Sequence, residues 1–350
     1  MFCPGKPNRD GWLKVAGCMK QHRVLIVGVG SIGERHLRCF QQTNRATVSF
    51  CELDDELRQV IADRYGVSDA YADLDTALAS RPESAVICAP AHLHVPISRR
   101  LAEAGVHLLC EKPLSTSLDG IDELSEIVDR SGVTFSVAYV LRFHPVAQAA
   151  KQVIAGGRFG RPLNLVLVTG QDFSFCRPAY RKIYYNDRRT GGGAIQDALT
   201  HMINIGEWIV GDVDRLAADA AHQKLDGVTV EDTVHIIARH GQVMASYAMN
   251  QYQSPNAMMF KFVCERGTAE FDMVGGGWRW QDDPNGSWHD EEVESFQRDD
   301  LFVRQAVAFL DAVEGVRPPQ CSLAEGLQTL RVNLAALAAA DNHRWETVLR

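Results

Sequence analysis

The chain has 350 residues, 46% of them hydrophobic and 23% charged, a balance that excludes a disordered or collagen-like protein. At roughly 150 residues per domain there is room for two domains, and a chain this long buries a core without disulfides. Its formal net charge of −8, from 36 Lys plus Arg against 44 Asp plus Glu, argues against a general binder of nucleic acid or anionic membrane.

Residues 1–20 carry four basic residues and no apolar run long enough for a signal peptide, which reads as a loose extension with Met19 as an alternative start. From Arg23 to Tyr139, short apolar runs alternate with helical patterns. The runs are Val24–Val27, Thr47–Cys51, Ala85–Cys88, Val106–Cys110 and Thr134–Ala138, and the helices begin near Ser31, Asp54, Pro96 and Leu118. Continuous apolar strands separated by helices indicate a parallel sheet covered on both faces, the doubly wound α/β (Rossmann) pattern expected over 21–145. After Pro145 a helix to Ile154 ends at Gly156-Gly157, and a strand at Leu163–Val168 follows. A loop rich in arginine and tyrosine, Gln171–Thr190, leads into Gly191-Gly192-Gly193 and a helix to Val210. Strand runs at Val228–Arg239, Gln242–Tyr252, Met258–Cys264 and Thr268–Met273 come next, and helices near 301–314 and 324–340 close the chain. Consecutive strands predict a mostly antiparallel open sheet, hence an α+β domain over 146–350 that binds substrate and mediates oligomerisation, its last helices packing back on the first domain.

The nine cysteines are scattered and lack zinc or redox spacing. Cys51, Cys88, Cys110 and Cys264 fall in apolar runs, where a free thiol behaves as a small hydrophobe, so the expected setting is the cytoplasm. No stretch is long and apolar enough to cross a membrane.

Gly28-Val29-Gly30-Ser31-Ile32-Gly33 directly follows a strand and opens a helix, and Glu52 ends the next strand 19 residues after Gly33. The glycines permit a tight turn and close approach of backbone to a diphosphate, and the acid suits a ribose diol while repelling a 2′-phosphate. NAD is therefore the expected cofactor, with NADP disfavoured. Arg58 reads as solvated. Lys112 stands at a strand end in Glu111-Lys112-Pro113, where ligands meet parallel sheets, although a lysine there can equally point into water. Asp197 and His201, four apart after the glycine run, share a helix face. The same spacing at Glu103/His107 and Glu231/His235 reads as structural. Two ligands without a third argue against a metal site, so none is expected.

These residues carry a family resemblance. From Arg23 to the C-terminus the chain resembles the Gfo/Idh/MocA oxidoreductases, the group of glucose–fructose oxidoreductase and inositol dehydrogenase. The resemblance rests on the glycine motif, on Ala89-Pro90 with His94, on Glu111-Lys112-Pro113, on Arg142-Phe143-x-Pro145, on the Gly191–His201 segment and on Gly267. It implies catalytic roles for Lys112, Asp197 and His201, and cofactor contacts from Gly28, Val29, Gly30, Ser31, Ile32, Gly33, Glu52, Ala89, Pro90, His94, Glu111 and Lys112. It also implies a cis bond before Pro113. Many members have Thr-Pro-Asn where Ala89-Pro90-Ala91 stands, and Asn at Val140, so the substrate does not transfer.

The Gln171–Thr190 loop places Arg177, Arg181, Lys182, Arg188 and Arg189 among Tyr180, Tyr184 and Tyr185. It reads either as a solvated segment or as a cover that binds an anionic sugar, with Arg177 and Arg181 facing the cleft and Arg142, Tyr180, Arg181 and Tyr184 as substrate contacts. The expected activity is hydride transfer between NAD and a hydroxyl-bearing carbon of a sugar, cyclitol or sugar derivative. A glycoside hydrolase using transient oxidation and a non-catalytic NAD sensor are the alternatives. A homodimer or homotetramer is expected through the second domain's sheet, because the strand Gln242–Tyr252 is apolar on both faces.

Overall fold

A computed structural model describes residues 20–182 and 184–349, so the extension and Met19 lie outside the described residues save Lys20. In the first half the order is β1 (His22–Val27), α1 (Ser31–Gln42), β2 (Ala46–Cys51), α2 (Asp55–Tyr65), β3 (Ala70–Tyr71), α3 (Leu74–Ala79), β4 (Ser84–Ile87), α4 (His94–Glu103), β5 (His107–Cys110), α5 (Ile121–Ser131) and β6 (Phe135–Val137). The strands form a six-stranded sheet in the order β3-β2-β1-β4-β5-β6. Every pair in it is parallel. Successive side chains of a strand point to opposite faces, so Leu25, Ala85, Ile87, Leu108 and Phe135 enter one core while Val24, Ile26, Val86 and Leu109 enter the other. Helix starts follow local chemistry: Asp54 caps α2 by accepting from the Leu57 N–H at 2.9 Å, and Gly66 ends it at φ +63°.

In the second half come α6 (Pro145–Ala150), β7 (Pro162–Asp172), α7 (Phe173–Cys176), α8 (Thr200–Val210), β8 (Arg215–Ala221), β9 (Thr233–His240), β10 (Val243–Asn250), β11 (Tyr252–Cys264), β12 (Gly267–Asp272), β13 (Gly277–Gln281), β14 (His289–Glu292), α9 (Arg298–Val313), α10 (Leu323–Asn342) and β15 (Glu346–Thr347). A nine-stranded sheet runs β14-β13-β12-β11-β7-β10-β9-β8-β15. Its neighbours are antiparallel except β10 and β7, which are parallel. Leu165, Leu167, Val234, Ile236, Tyr247, Phe260 and Phe262 fill the face that packs against the helices.

Helix α9 returns to the first sheet. Phe309 and Leu310 join its core, and Asp299 binds Arg35 at 3.0 Å and Arg38 at 2.7 Å on α1. Helix α10 lies against β8 of the second sheet, and the Ser136–Ser322 bridge ties its start to β6.

Two expectations need correction. The strand expected from Val228 begins only at Thr233, because Val228 and Val230 pack with Phe173, Tyr180, Tyr185 and Leu225 in a small cluster beneath the loop. The helix expected to run from the glycine run to Val210 opens with a π-type turn, Ile195–Leu199, before α8.

Candidate active site

The glycine turn leaves β1 at the carboxyl edge of the parallel sheet, where the chain order reverses between β1 and β4. Gly28 has φ +84°, and a Cβ on Gly33 would stand 1.9 Å from the Gly28 carbonyl oxygen, so neither position admits a side chain. Around Gly30, by contrast, none of the described residues lies within 4 Å of such a Cβ. Helix α1 begins there without a side-chain cap, so its first N–H groups are free to meet an anion. Turn, opening and uncapped helix together fit the diphosphate of a dinucleotide. Glu52 borders the same turn: its carboxylate accepts from the Val29 N–H at 3.0 Å and the Asp54 N–H at 3.1 Å. Arg58, expected to be solvated, instead donates to the Glu52 carbonyl at 2.8 Å and pairs with Asp55. Ser31 and Ile32 form the first turn of α1, and Ala89 and Pro90 follow β4 beside Gly28.

Lys112 and Asp197 are 85 residues apart in sequence, and the fold brings them together. Lys112 Nζ donates to the Asp197 carbonyl at 2.6 Å and to Asp197 Oδ1 at 3.2 Å. Both side chains are largely buried. Burial works to raise the Asp197 pKa, but the Lys112 ammonium, the Arg177 guanidinium and the Tyr184 hydroxyl outweigh it and hold it down to about 2. The carboxylate is therefore charged at any working pH.

His201 follows one turn later at the start of α8, its ring edge-on to Tyr139 with centroids 5.8 Å apart. Burial, reinforced by the Lys112 ammonium, pushes its pKa down to about 3, so the imidazole is neutral. Among the described residues His201 Nδ1 is sealed and has no partner, which leaves Nε2 as the nitrogen able to meet a ligand. A neutral base, an ammonium and a carboxylate thus stand together at the end of β5 and the start of α8. Among the described residues no group of three or more His, Cys, Asp or Glu side chains could hold a metal ion.

The other expected site residues divide. Tyr184 reaches the cluster: its hydroxyl donates to Asp197 Oδ1 at 2.7 Å. Tyr180 and Arg181 do not. Both donate to the Asp226 carbonyl at 2.7 Å, away from Asp197, because Tyr180 anchors the cluster beneath the loop and Arg181 lies on the outside over its ring. Arg142 is also corrected as a substrate contact. Its buried guanidinium donates to Asn204 at 2.8 Å, to the Gln320 carbonyl at 2.6 Å and to Glu325 at 2.7 Å, cross-linking α8 to the start of α10. His94 is a brace rather than a cofactor ligand, because both ring nitrogens face backbone carbonyls, Pro113 at 2.9 Å and Ala89 at 2.8 Å. The Glu111 carboxylate is likewise engaged within the protein, with His36 at 2.7 Å and the Lys112 N–H at 3.0 Å. The Lys112–Pro113 bond is cis.

Two residues at the site, His36 and Glu231, were not singled out from the sequence for it, whereas of Arg177 and Arg181, both expected to face the cleft, only the first does so. Arg177 donates to the Tyr184 oxygen at 3.2 Å, so it, rather than Arg181, is the loop arginine turned toward Asp197. His36 backs Glu111 from α1, and its only signal was a polar side chain in the buried stripe of that helix, beside Gly33, Leu37 and Phe40. Glu231 accepts from the Ile195 N–H at 3.2 Å and from Arg188 at 2.8 Å, so it holds both the π-type turn and the loop. Its spacing to His235 had marked it only as a strand residue.

Fold and site together define a nicotinamide-dinucleotide oxidoreductase of the two-domain kind, and comparison with known proteins agrees. Residues 22–139 match the oxidoreductase family with an NAD-binding Rossmann fold, and residues 147–270 match the GFO/IDH/MocA C-terminal domain. The chain belongs to the GFO/IDH/MocA family. It is 24% identical over 325 residues to D-xylose 1-dehydrogenase (NADP(+)) 2 of Haloferax volcanii, covering 90% of this chain and 96% of that one. Among solved structures it resembles levoglucosan dehydrogenase in complex with NADH and levoglucosan, with a TM-score of 0.86 at 20% identity over 95% of this chain and all (100%) of that one. It also resembles the WlbA dehydrogenase of Bordetella pertussis in complex with NADH and UDP-GlcNAcA, with a TM-score of 0.82 at 21% identity, covering 95% and 99% of the two chains.

Proposed function

We propose that the protein transfers a hydride between a nicotinamide dinucleotide and a hydroxyl-bearing carbon of a sugar, cyclitol or sugar derivative, with NAD preferred to NADP. The observation that carries this reading is the meeting of Lys112, Asp197 and His201 at the carboxyl edge of a sheet whose glycine turn fits a dinucleotide. The relatives named for D-xylose and levoglucosan act on sugars, which supports the substrate class. When bound, the nicotinamide gives or takes the hydride. In the oxidative direction His201 Nε2 accepts the hydroxyl proton, and the Lys112 ammonium stabilises the oxyanion that develops. Asp197 fixes that ammonium and accepts a second substrate hydroxyl. Preference for NAD rests on Glu52, whose negative charge beside the turn disfavours a 2′-phosphate.

An anionic substrate is the more specific reading, carried by Arg177 without Arg181, because Arg177 is the guanidinium that acts electrostatically on Asp197 and Glu111. The cytoplasmic setting is supported by the free state of every described cysteine. Among the described residues no helix is long and apolar enough to cross a membrane.

We also propose that copies associate through the open face of the nine-stranded sheet. There Ile237 is 54% and Met244 52% exposed, and Val168 and Met259 extend the apolar surface. Light scattering at micromolar protein should show a dimer or tetramer, and Ile237→Glu with Met244→Glu should shift it toward monomer. A monomeric parent would end this part of the proposal.

The experiment for the function is a panel of neutral and carboxylated sugars, cyclitols and glycosides with NAD or NADP. Nicotinamide absorbance and sugar release are both followed. Turnover seen as NADH formation is the expected result. Sugar release without net NADH would favour a hydrolase using transient oxidation, and cofactor binding without either would favour a sensor.

A further inference from the structure

We propose that Tyr184 is a positioning residue for Asp197, holding one carboxylate oxygen so that the other faces the substrate; the inference rests on the dehydrogenase reading above. Tyr184 lies 13 residues before Asp197 in the arginine- and tyrosine-rich loop. Its hydroxyl donates to Asp197 Oδ1 at 2.7 Å, the oxygen that Lys112 Nζ also reaches at 3.2 Å. A phenol has one proton to give, and arginine can only donate. Because Arg177 donates to the Tyr184 oxygen at 3.2 Å, the Tyr184 proton is directed to Asp197. Among the described residues no donor is placed on Asp197 Oδ2. With Oδ1 doubly engaged, Oδ2 is the oxygen left for a substrate hydroxyl.

The loop is built to keep the phenol in place. Thr190 Oγ1 donates to the Tyr184 carbonyl at 2.7 Å, and the next residue, Tyr185, is buried against Phe173 with ring centroids 4.5 Å apart. Arg188 then binds Glu231 at 2.8 Å, and Glu231 accepts from the Ile195 N–H at 3.2 Å, two residues before Asp197. Loop and catalytic turn therefore share one buried post, which fixes Tyr184 relative to Asp197 within a small tolerance. Errors of about 1 Å in such a group cost on the order of 100-fold in rate.

A residue that only touches substrate gives a different signature from one that acts through Asp197. Loss of a uniform contact raises KM alone, whereas loss of positioning lowers kcat and kcat/KM together. Tyr184→Phe keeps the ring and its packing and removes the donor.

The test uses the full chain with NAD and whichever panel sugar the parent oxidises. Tyr184→Phe should lower kcat by about 10-fold or more with KM held within about threefold, while NADH affinity and the melting temperature stay at the parent's values. In single-turnover hydride transfer, Tyr184→Phe should cost nothing further in an Asp197→Asn background, because groups acting through one another are non-additive. Crystal structures of parent and Tyr184→Phe with NADH should show the Asp197 carboxylate rotated or in two conformers only in the variant. Arg177→Met should give the same pattern more weakly, and it stands in if Tyr184→Phe fails to fold. A rise in KM with kcat retained, full additivity with Asp197→Asn, or an unmoved Asp197 in the variant crystal would overturn the proposal. If the parent oxidises no sugar in the panel, the dehydrogenase reading fails, and the Asp197 position in the two crystals still decides the role of Tyr184.

Discussion

His36 Nε2 lies 2.7 Å from Glu111 Oε1, so the helix that opens on the glycine turn is bonded to the residue that precedes Lys112. The other Glu111 oxygen accepts from the Lys112 N–H at 3.0 Å. Burial works to raise the Glu111 pKa, and His36 and Lys112 outweigh it and keep the carboxylate charged. The glycine turn and Lys112 are thus joined through a single buried carboxylate, although 75 residues separate His36 from Glu111 in the chain.

His36→Leu would leave Glu111 buried without that donor. It should destabilise the fold by about 2–3 kcal/mol in denaturant titration, the cost of breaking a buried hydrogen bond to a charged group. Turnover should fall more than NADH affinity, since the loosened residue adjoins Lys112. Glu111→Gln retains an acceptor for the Lys112 N–H and should be milder in both measurements. Equal stability of His36→Leu and the parent would show that the pair does not hold the turn.

Lys112→Ala and His201→Ala should each lower turnover by about 100-fold or more while cofactor binding survives. Because burial and Lys112 hold the His201 pKa down to about 3, the base form is present throughout pH 5–8. The kcat/KM profile for oxidation should show no His201 limb across that range. Activity of either variant within a few-fold of the parent would remove the assigned role.

Glu52→Ser removes the charge that disfavours a 2′-phosphate at the glycine turn. The preference for NAD over NADP should narrow or reverse, read as the ratio of the two kcat/KM values. Equal use of both cofactors by the parent would show that the Glu52 carboxylate, bonded to the Val29 and Asp54 N–H groups, does not discriminate.

Glu207 predicts a pH dependence of stability. Burial between α8 and α10 raises its pKa from 4.5 to about 7, against bonds from Thr329, Gln328 and the Val213 N–H. The folded chain therefore holds a proton here between about pH 4.5 and 7 that the unfolded chain has released. Stability from this group is complete below the lower value, falls as pH rises through the window, and levels off above the upper one. Glu207→Gln should flatten the melting temperature across pH 5–7.5 relative to the parent. An unchanged slope in the variant would assign the dependence to other groups.

Much of the first domain could be read from local sequence, since apolar runs between helical patterns specify parallel strands whichever neighbours they find. Gly28, Gly30 and Gly33 were legible for the same reason: their demands come from backbone geometry within six consecutive residues. The second sheet was only partly legible. Strand β8, Arg-Leu-Ala-Ala-Asp-Ala-Ala, and strand β14, His-Asp-Glu-Glu, lack the β-branched or aromatic alternation of a strand and are held by pairing with β9 and β13.

Lys112, Asp197 and His201 stood out as candidates by chemistry and position, but their convergence depends on β5 and α8 being brought together by the packing of two domains. The loop shows the limit most sharply. Arg177, Arg181 and Arg188 are equivalent as charges in sequence, yet one reaches Tyr184, one the Asp226 carbonyl and one Glu231. Arg142 looked like a substrate contact and proved to be a cross-link between helices. A side chain's direction in a loop follows from partners distant in sequence, whereas a strand or a glycine turn follows from neighbours a few residues away. Sequence alone therefore determined the dinucleotide frame and offered the candidate side chains, and tertiary packing alone decided which of several like residues meets the site.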